Sequence, residues 1–215
     1  MQEILTFELE LIFIDISIGK TRGRSHGFIP WSSLRRDNLV EEVAHDNEAH
    51  VDADFAGGWG FEDQNDPTCV KSRTGFVIEV MGCPIFWQSK LQGCIATSTM
   101  EAEYTALSMA LRAAIPFMEV CRYVISRFWT VPNSLVKFKT TVHEDNQGAL
   151  ALAKLEPGRT TPRSKFYAIK WHWFRSWLKP IELEYVDTKE QKANIFTKAL
   201  GTADFLHDRK LTCGW

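Results

Sequence analysis

The chain has 215 residues, 45% of them hydrophobic, which is enough for one substantial core. Its 25 Lys and Arg residues against 27 Asp and Glu residues give a net charge of −2, so any nucleic-acid surface must be local. Five scattered cysteines without a CxxC pair argue against a disulfide framework and structural zinc, and they suit a reducing compartment.

Residues 1–49 differ in composition and hydrophobic pattern from the rest of the chain. Ile4–Ile18 has the composition of a strand, but the charged stretch after it shows no long apolar period. The first twenty residues carry four acids and no basic leader, which argues against a signal peptide and a membrane span. We expect residues 1–49 to be a peripheral or poorly ordered extension, and the protein to be intracellular, either cytoplasmic or nuclear.

The pattern becomes regular from residue 50. A strand begins at Val51, and Arg73–Gly82 and Pro84–Lys90 are rich in β-branched and aromatic residues and are separated by a turn. These three segments predict an antiparallel unit of three strands.

Helical and extended patterns then alternate. Helical spacing predicts a helix over Thr99–Leu111 and a second one over Phe117–Phe128, after Pro116. A strand from Phe138 leads into a short helix after Asp145.

The C-terminal part repeats this alternation. An aromatic, basic helix is expected over Lys165–Leu178, a strand from Ile181 and a last helix over Glu190–Leu200. The predicted fold class is α/β, with a five-stranded mixed sheet of three antiparallel and two parallel strands flanked by helices. We expect this domain to cover residues 50–201, followed by a C-terminal tail over 202–215.

Two carboxylates mark the first strand. Asp52 and Asp54 lie two residues apart, so both side chains point to the same face. The pair alone favours an ordinary solvated strand face. The small residues that follow it, AGGWG, favour a site instead, because they let backbone and substrate approach the strand end.

The next acids are separated by helical geometry. Glu103 lies near the apolar face of the predicted helix, whereas Glu101 lies nearly opposite it. A carboxylate at the edge of a buried face is costly unless it has a partner. Glu103 is therefore the functional candidate, and we expect Glu101 to be solvated.

Asp145 stands where a strand ends and a helix begins. That position suits a helix N-cap, and taken alone capping is the favoured interpretation. Glu144 points to the other side of the strand and is the weaker candidate for a site. Asn194, in the last predicted helix, is by itself only a polar residue on the same stripe as Lys198.

Several long motifs in register, spread over about residues 51–200, resemble the ribonuclease H domain of copia-type retrotransposon polyproteins. They are VDADFAGGW, KSRTGFVI, PIFWQSKLQ, STMEAEYTALS, EDNQGALALAK, PRSKFYAIKWHWFR and DTKEQKANIFTKAL. The resemblance implies a ribonuclease H-like fold, in which Asp52, Glu103 and Asp145 match the metal-binding acids and Asn194 takes the place of the fourth catalytic acid. Phe166 stands where related sequences carry a His.

The activity implied by the resemblance is two-metal hydrolysis of the RNA strand in an RNA·DNA hybrid. Two Mg²⁺ ions are expected, with Mn²⁺ as a substitute. Asn194 keeps an oxygen ligand but removes a negative charge, which predicts a weak second ion and an attenuated enzyme. Glu190, one turn earlier, is a less favoured source of the missing charge.

Two other functions stay open: an inactive module that binds nucleic acid, and a relic of a mobile element without a selected role. No polymerase YxDD motif is present, which adds weight to the relic. A reverse transcriptase supplied as a separate polypeptide is a candidate partner. The oligomeric state, monomer or otherwise, is left open.

A basic and aromatic stretch between residues 157 and 180 predicts the substrate surface. It contains no Asp or Glu, and cations beside aromatic rings suit phosphates and bases. The aromatic side chains are more readily explained as core residues of an amphipathic helix. The predicted hybrid contacts are the loop residues Arg159, Arg163 and Lys165, with Arg73 and Lys90 adding to the same field.

Overall fold

The computed structural model describes residues 43–80, 82–128, 136–154 and 181–214, together with Trp173 and Ser176. The chain divides into two compact units, residues 1–44 with 120–137 and residues 45–119 with 138–215. The first unit consists mostly of residues outside the described ranges, and the predictions for residues 1–42 lie there too. Most of the predicted helix over Lys165–Leu178 also lies outside them, although Trp173 and Ser176 are helical.

The second unit is built on a five-stranded mixed sheet with strand order β3-β2-β1-β4-β5. β1 pairs antiparallel with β2, β2 pairs antiparallel with β3, and β4 runs parallel to β5. This confirms the predicted sheet. The strands are β1 (Val43–Asp54), β2 (Arg73–Val80), β3 (Cys83–Leu91), β4 (Val136–Glu144) and β5 (Ile181–Tyr185).

The first strand begins earlier than the sequence indicated. β1 starts at Val43 rather than near residue 50, and Asn47 and Ala49 are buried within it. Polar residues in this stretch lower its intrinsic β propensity, but pairing of residues 47–54 with β2 overrides that preference. The predicted boundary of the domain therefore falls inside a strand.

Apart from the helical residues Trp173 and Ser176, the described ranges contain three α-helices and three 3-10 helices. They are α1 (Thr99–Phe128), α2 (Gln147–Lys154) and α3 (Thr202–Cys213), with 3-10 helices over Pro67–Val70, Thr188–Glu190 and Lys192–Phe196. Among the described residues, no helix is sufficiently long and apolar to cross a bilayer.

The predicted break at Pro116 is wrong, because α1 continues through it. Pro116 is exposed, while Ile115 and Met118 on either side are buried. A proline removes one helical hydrogen bond. Burial of the apolar face on both sides of Pro116 offsets that loss, since most helical stability in proteins comes from packing.

The predicted helix over Glu190–Leu200 is also wrong. Two 3-10 helices replace it, and Gln191 between them has an extended backbone with φ −77° and ψ 100°. Its side chain is fully buried and donates from Nε2 to the Val51 carbonyl at 2.7 Å. This contact with β1 holds the backbone out of a continuous α-helix.

Residues 202–213, predicted as part of a tail, form α3. Asp208 and Thr212 are buried, and Thr212 Oγ1 donates to the Lys192 carbonyl at 3.3 Å. α3 therefore packs against the second of the two neighbouring 3-10 helices.

The core lies between the sheet and helices α1 and α2. A row of alanines spaced four residues apart runs along α1 and is almost fully buried: Ala102, Ala106, Ala110 and Ala114. Small side chains at this spacing let a helix approach its neighbours closely. α1 is thereby held with Glu103, next to the first alanine, against the interior.

Candidate functional site

Three acids from distant parts of the sequence converge. Asp52 on β1, Glu103 on α1 and Asp145 directly after β4 have side-chain oxygen atoms within 4.8 Å of one another. We call these three residues the acid cluster. Hard oxygen donors in this number are what Mg²⁺, Mn²⁺ or Ca²⁺ prefers, so the acid cluster can hold a divalent cation.

Asp52 is not part of a solvated strand face, since only 1% of the residue is exposed. Its carboxylate accepts hydrogen bonds from Thr197 Oγ1 and from Lys198 Nζ, the latter at 3.1 Å. A buried carboxylate is costly unless it is paired and hydrogen-bonded. Thr197 and Lys198 supply that compensation.

Glu103 is buried as predicted. Its Oε2 has no hydrogen-bond partner within the described part of the chain. Burial, followed by repulsion from nearby carboxylates, raises the pKa of Glu103 to about 10. Glu101 makes local contacts instead: its carboxylate accepts from the Thr97 backbone N–H at 2.7 Å, and its own N–H donates to Ser98 Oγ, which caps the helix.

The open question for Asp145 is settled by its neighbour. Asn146 caps α2, because its Oδ1 accepts from the Ala149 N–H at 3.0 Å. Asp145 instead accepts from Thr188 Oγ1 at 2.8 Å and joins the acid cluster. Burial raises the pKa of Asp145, while the hydrogen bond from Thr188 lowers it.

Asn194 lies beside the acid cluster, connected to it by a lysine. Its Nδ2 donates to the Thr188 carbonyl at 2.7 Å, and its Oδ1 accepts from Lys198 Nζ. The same ammonium contacts Asp52, so a positive charge lies between Asp52 and the residue in the fourth acid position. Glu190 is exposed and does not belong to the acid cluster.

A glycine lets the 188–198 segment, formed by the last two 3-10 helices and the two residues after them, approach the sheet. Gly75 on β2 is the register partner of Asp52. A Cβ at Gly75 would lie 2.6 Å from Thr197 Cγ2 and 2.8 Å from Phe196 Cβ, which is too close for a side chain. The missing side chain therefore allows Thr197 and Lys198 to reach Asp52.

A groove of about 540 Å³ opens beside this segment. Its lining includes Asp54, Gly57, Arg73, Ser89, Thr197 and Lys198. Of the predicted substrate contacts, Arg73 lines the groove and Lys90 is exposed on β3. Arg159, Arg163 and Lys165 lie outside the described residues, as does Phe166.

Known proteins similar to this chain are retroelement and ribonuclease H proteins. Over 155 residues, 71% of the chain, it is 30% identical to the retrovirus-related Pol polyprotein from transposon TNT 1-94 of Nicotiana tabacum. The chain spans only 10% of that relative's length. No protein-family model matches the chain.

Two solved structures are similar over most of their length. The N-terminal RNase H domain of Rv2228c from Mycobacterium tuberculosis has a TM-score of 0.47 and 14% identity, covering 77% of this chain and 97% of that one. LC11-RNase H1, isolated from compost, has a TM-score of 0.46 and 16% identity, covering 71% and 92%. The match to the polyprotein, the mixed five-stranded sheet and the acid cluster together identify the family.

The chain belongs to the ribonuclease H-like domains of retrotransposon polyproteins. The predicted ribonuclease H-like fold is thereby confirmed. The domain brings together Asp52, Glu103 and Asp145, and it places Asn194 next to them through Lys198.

Sequence reasoning ranked Glu144 as the weaker candidate and did not predict its burial in this ribonuclease H-like domain. Glu144 is fully buried, its Oε2 has no hydrogen-bond partner among the residues described, and burial raises its pKa well above the usual range. It is also the carboxylate that contributes most to the raised pKa of Glu103. The available signal was alternation, because Val142 and Glu144 share the core-facing side of β4.

Proposed function

We propose that this ribonuclease H-like domain hydrolyses the RNA strand of RNA·DNA hybrids with Mg²⁺, at a rate attenuated by Asn194. The observation that carries the proposal is the convergence of Asp52, Glu103 and Asp145 from three separate elements. Three buried or half-buried carboxylates this close repel one another when ionised, and a bound cation or protonation of one acid relieves that repulsion.

The residues present fit a divalent cation. Glu103 offers a buried carboxylate oxygen without a protein partner in the described ranges, and Asp52 and Asp145 supply further oxygens. Mn²⁺ accepts the same donors. When bound, such cations activate water for attack and offset the charge of the scissile phosphate.

The surrounding side chains position the acids. Thr188 fixes the Asp145 carboxylate, and Thr197 fixes that of Asp52. Lys198 donates to both Asp52 and Asn194. Its positive charge therefore offsets the negative charge that would help to bind a second cation. An amide at 194 cannot restore that charge, and we infer a weak second ion and slow turnover.

The substrate lies, in this proposal, along the groove beside the 188–198 segment. Arg73 lines the groove, and Lys90 is an exposed cation on the neighbouring strand. Both suit phosphate contacts that fix the register of a hybrid without reading its sequence. Arg159, Arg163 and Lys165 stay predicted contacts, and a copia-type reverse transcriptase supplied separately stays a predicted partner.

Cleavage of an end-labelled RNA·DNA hybrid in Mg²⁺ and in Mn²⁺ tests the proposal. The parent chain is compared with Asn194→Asp and Asp145→Asn. We expect slow cleavage by the parent, faster cleavage by Asn194→Asp and none by Asp145→Asn. Cleavage that persists in Asp145→Asn would show that the acid cluster is not the source of the activity.

A second candidate is a nucleic-acid-binding module without useful catalysis. The observation that favours it is Lys198, whose ammonium already occupies the space between Asp52 and Asn194. The same assay separates the two. If the parent and Asn194→Asp both bind the hybrid but neither cleaves it, the nucleic-acid-binding module is supported. If the parent chain does not fold, the third hypothesis, a relic of a mobile element, is supported.

A further inference from the structure

A second group of metal-ligating side chains lies on the two central strands. Glu48 and His50 on β1 and His143 on β4 have ligand atoms within 4.8 Å of one another. Glu48 and His50 share the parity of Asp52 on β1, and His143 on β4 lies two residues before Asp145, which directly follows that strand. The group is therefore about 7 Å along the strands from the acid cluster, since two residues of a strand rise by about that distance.

His50 is the central member and lacks ordinary partners. The residue is 4% exposed, and neither ring nitrogen has a hydrogen-bond partner within the described part of the chain. Glu48 Oε2 is 3.8 Å from His50 Nε2, which is too long for a hydrogen bond. Buried polar atoms without partners cost free energy, so we expect a ligand that contacts the His50 ring nitrogens to be stabilising.

His143 lies directly against His50. The two imidazole rings are stacked, with centroids 4.5 Å apart and an angle of 22° between their planes. Neutral imidazole nitrogens are the commonest ligands for Zn²⁺ and similar ions. Binding one ion through both rings requires the rings to turn their nitrogen edges toward a common point.

The charges around this group are compatible with a bound cation. Lys192 is close to this group, but its Nζ lies 2.6 Å from Glu79 Oε2 in a partly buried ion pair. That buried carboxylate offsets the lysine charge. The Glu48 side chain is 45% exposed, which provides a path from solvent to the two histidines.

We propose that Glu48, His50 and His143 form a binding site for a divalent transition-metal ion, with Zn²⁺ as the best match. Two imidazoles and one carboxylate leave a fourth position open for water, as in Zn²⁺ sites with three protein ligands. The all-oxygen acid cluster suits Mg²⁺, so the two sites differ in ion preference. The expectation of no structural zinc rested on the spacing of cysteines and histidines along the sequence, which does not reveal histidines that the sheet brings together.

Zn²⁺ titration of the purified full chain against a chromophoric chelator tests the site, with excess Mg²⁺ present to occupy the acid cluster. We expect one Zn²⁺ per chain in the parent and in Asp145→Asn. His143→Gln should weaken Zn²⁺ binding by at least about tenfold, because loss of a residue that merely orients a metal ligand already has an effect of that size. Glu182→Gln, an exposed acid on β5, is the matched control and should bind as the parent does.

Co²⁺ in place of Zn²⁺ adds a spectroscopic measurement, because its visible absorption reports nitrogen and oxygen ligation. Glu48→Gln serves as a second variant if His143→Gln does not fold, since Glu48 is partly exposed. It should change the Co²⁺ spectrum while the thermal melt stays cooperative. Unchanged Zn²⁺ affinity in both variants, or loss of binding in Asp145→Asn alone, would overturn the proposal.

Discussion

At the scale of single residues, charge around Asp52 decides what the site can do. Lys198 donates to Asp52 and Asn194, and the buried acids Glu103 and Glu144 have strongly raised pKa values. Burial is the main cause of the raised pKa values, repulsion between neighbouring carboxylates adds to it, and within the described ranges Lys198 is the ammonium that opposes it. The charge at position 194 and the solution pH should therefore control cation binding and stability.

Asn194→Asp should strengthen Mg²⁺ binding by about tenfold and raise the cleavage rate, because it adds a carboxylate next to the acid cluster. Isothermal titration with Mg²⁺ and single-turnover cleavage would measure both effects. Asn65→Asp, at an exposed loop position, adds the same charge away from the site and should change neither. Equal gains in the two variants would mean that only net charge matters.

The metal-free chain should lose stability as the pH rises from 7 to 9. Glu103 has a folded pKa of about 10 against an ordinary value of 4.5, so over this range the folded state keeps a proton that the unfolded state has released. Burial lowers the pKa values of His50 and His143, which gives a smaller contribution of opposite sign near pH 7 that fades toward pH 9.

Urea unfolding in a chelator at pH 7, 8 and 9 measures this slope, which reaches up to about 1.4 kcal/mol per pH unit for one such group. Glu103→Gln should reduce the dependence and leave the contribution of Glu144, whose pKa is also raised, and added Mg²⁺ should oppose it by favouring the ionised carboxylates. A rise in unfolding free energy over this range would contradict the assignment.

At the scale of elements, the site depends on close approach between backbones. The alanine row of α1 holds Glu103 against the sheet, and Gly75 allows the 188–198 segment to reach Asp52. Gln191 anchors the same segment through its hydrogen bond to the Val51 carbonyl. Small residues at these contacts matter because interiors tolerate added volume poorly.

Gly75→Ala should destabilise the fold by about 1–3 kcal/mol and weaken Mg²⁺ binding, because the new methyl group must displace Thr197 and Phe196. Gly93→Ala is the control: no atom lies within 4 Å of a Cβ built there, and the change should stay within about 0.5 kcal/mol. Chemical denaturation and Mg²⁺ titration test both. An undisturbed Mg²⁺ affinity in Gly75→Ala would separate this contact from the site.

At the scale of the whole molecule, a net charge of −2 gives no general attraction for a polyanion, so local cations must bind it. Arg73 in the groove and Lys90 on β3 are such cations within the described ranges. The groove adjoins the acid cluster through Thr197 and Lys198, so a hybrid bound there would bring its backbone to the carboxylates.

Arg73→Ala and Lys90→Ala should each weaken binding of the hybrid and lower the magnitude of the salt slope by about one, because each removes one phosphate contact. Fluorescence anisotropy at several salt concentrations, with Ca²⁺ to suppress cleavage, measures this. Lys139→Ala is the control, since Lys139 pairs with Glu182 on β4 and β5. Equal effects of all three changes would indicate a nonspecific field rather than a groove.

Local patterns in the sequence predicted the strands of the hairpin, the mixed sheet and Glu103 as a candidate, whereas Asp52 and Asp145 were selected by the resemblance to the family. Residue alternation and helical spacing decide which side chains share a face, and neither depends on distant contacts. The preference for Asn146 over Asp145 as the cap needed the observed hydrogen bond, because adjacent residues of similar capping propensity are equivalent in sequence.

Only the tertiary structure decided the continuity of α1 through Pro116, the 3-10 form of residues 188–196, the burial of Glu144 and the meeting of His50 with His143. Each depends on contacts between residues far apart in the chain, such as Gln191 with Val51 and Lys198 with Asp52. The sequence by itself thus determined the sheet and its three acids, whereas long-range packing and pairing of buried charge decided how those acids are held and neutralised.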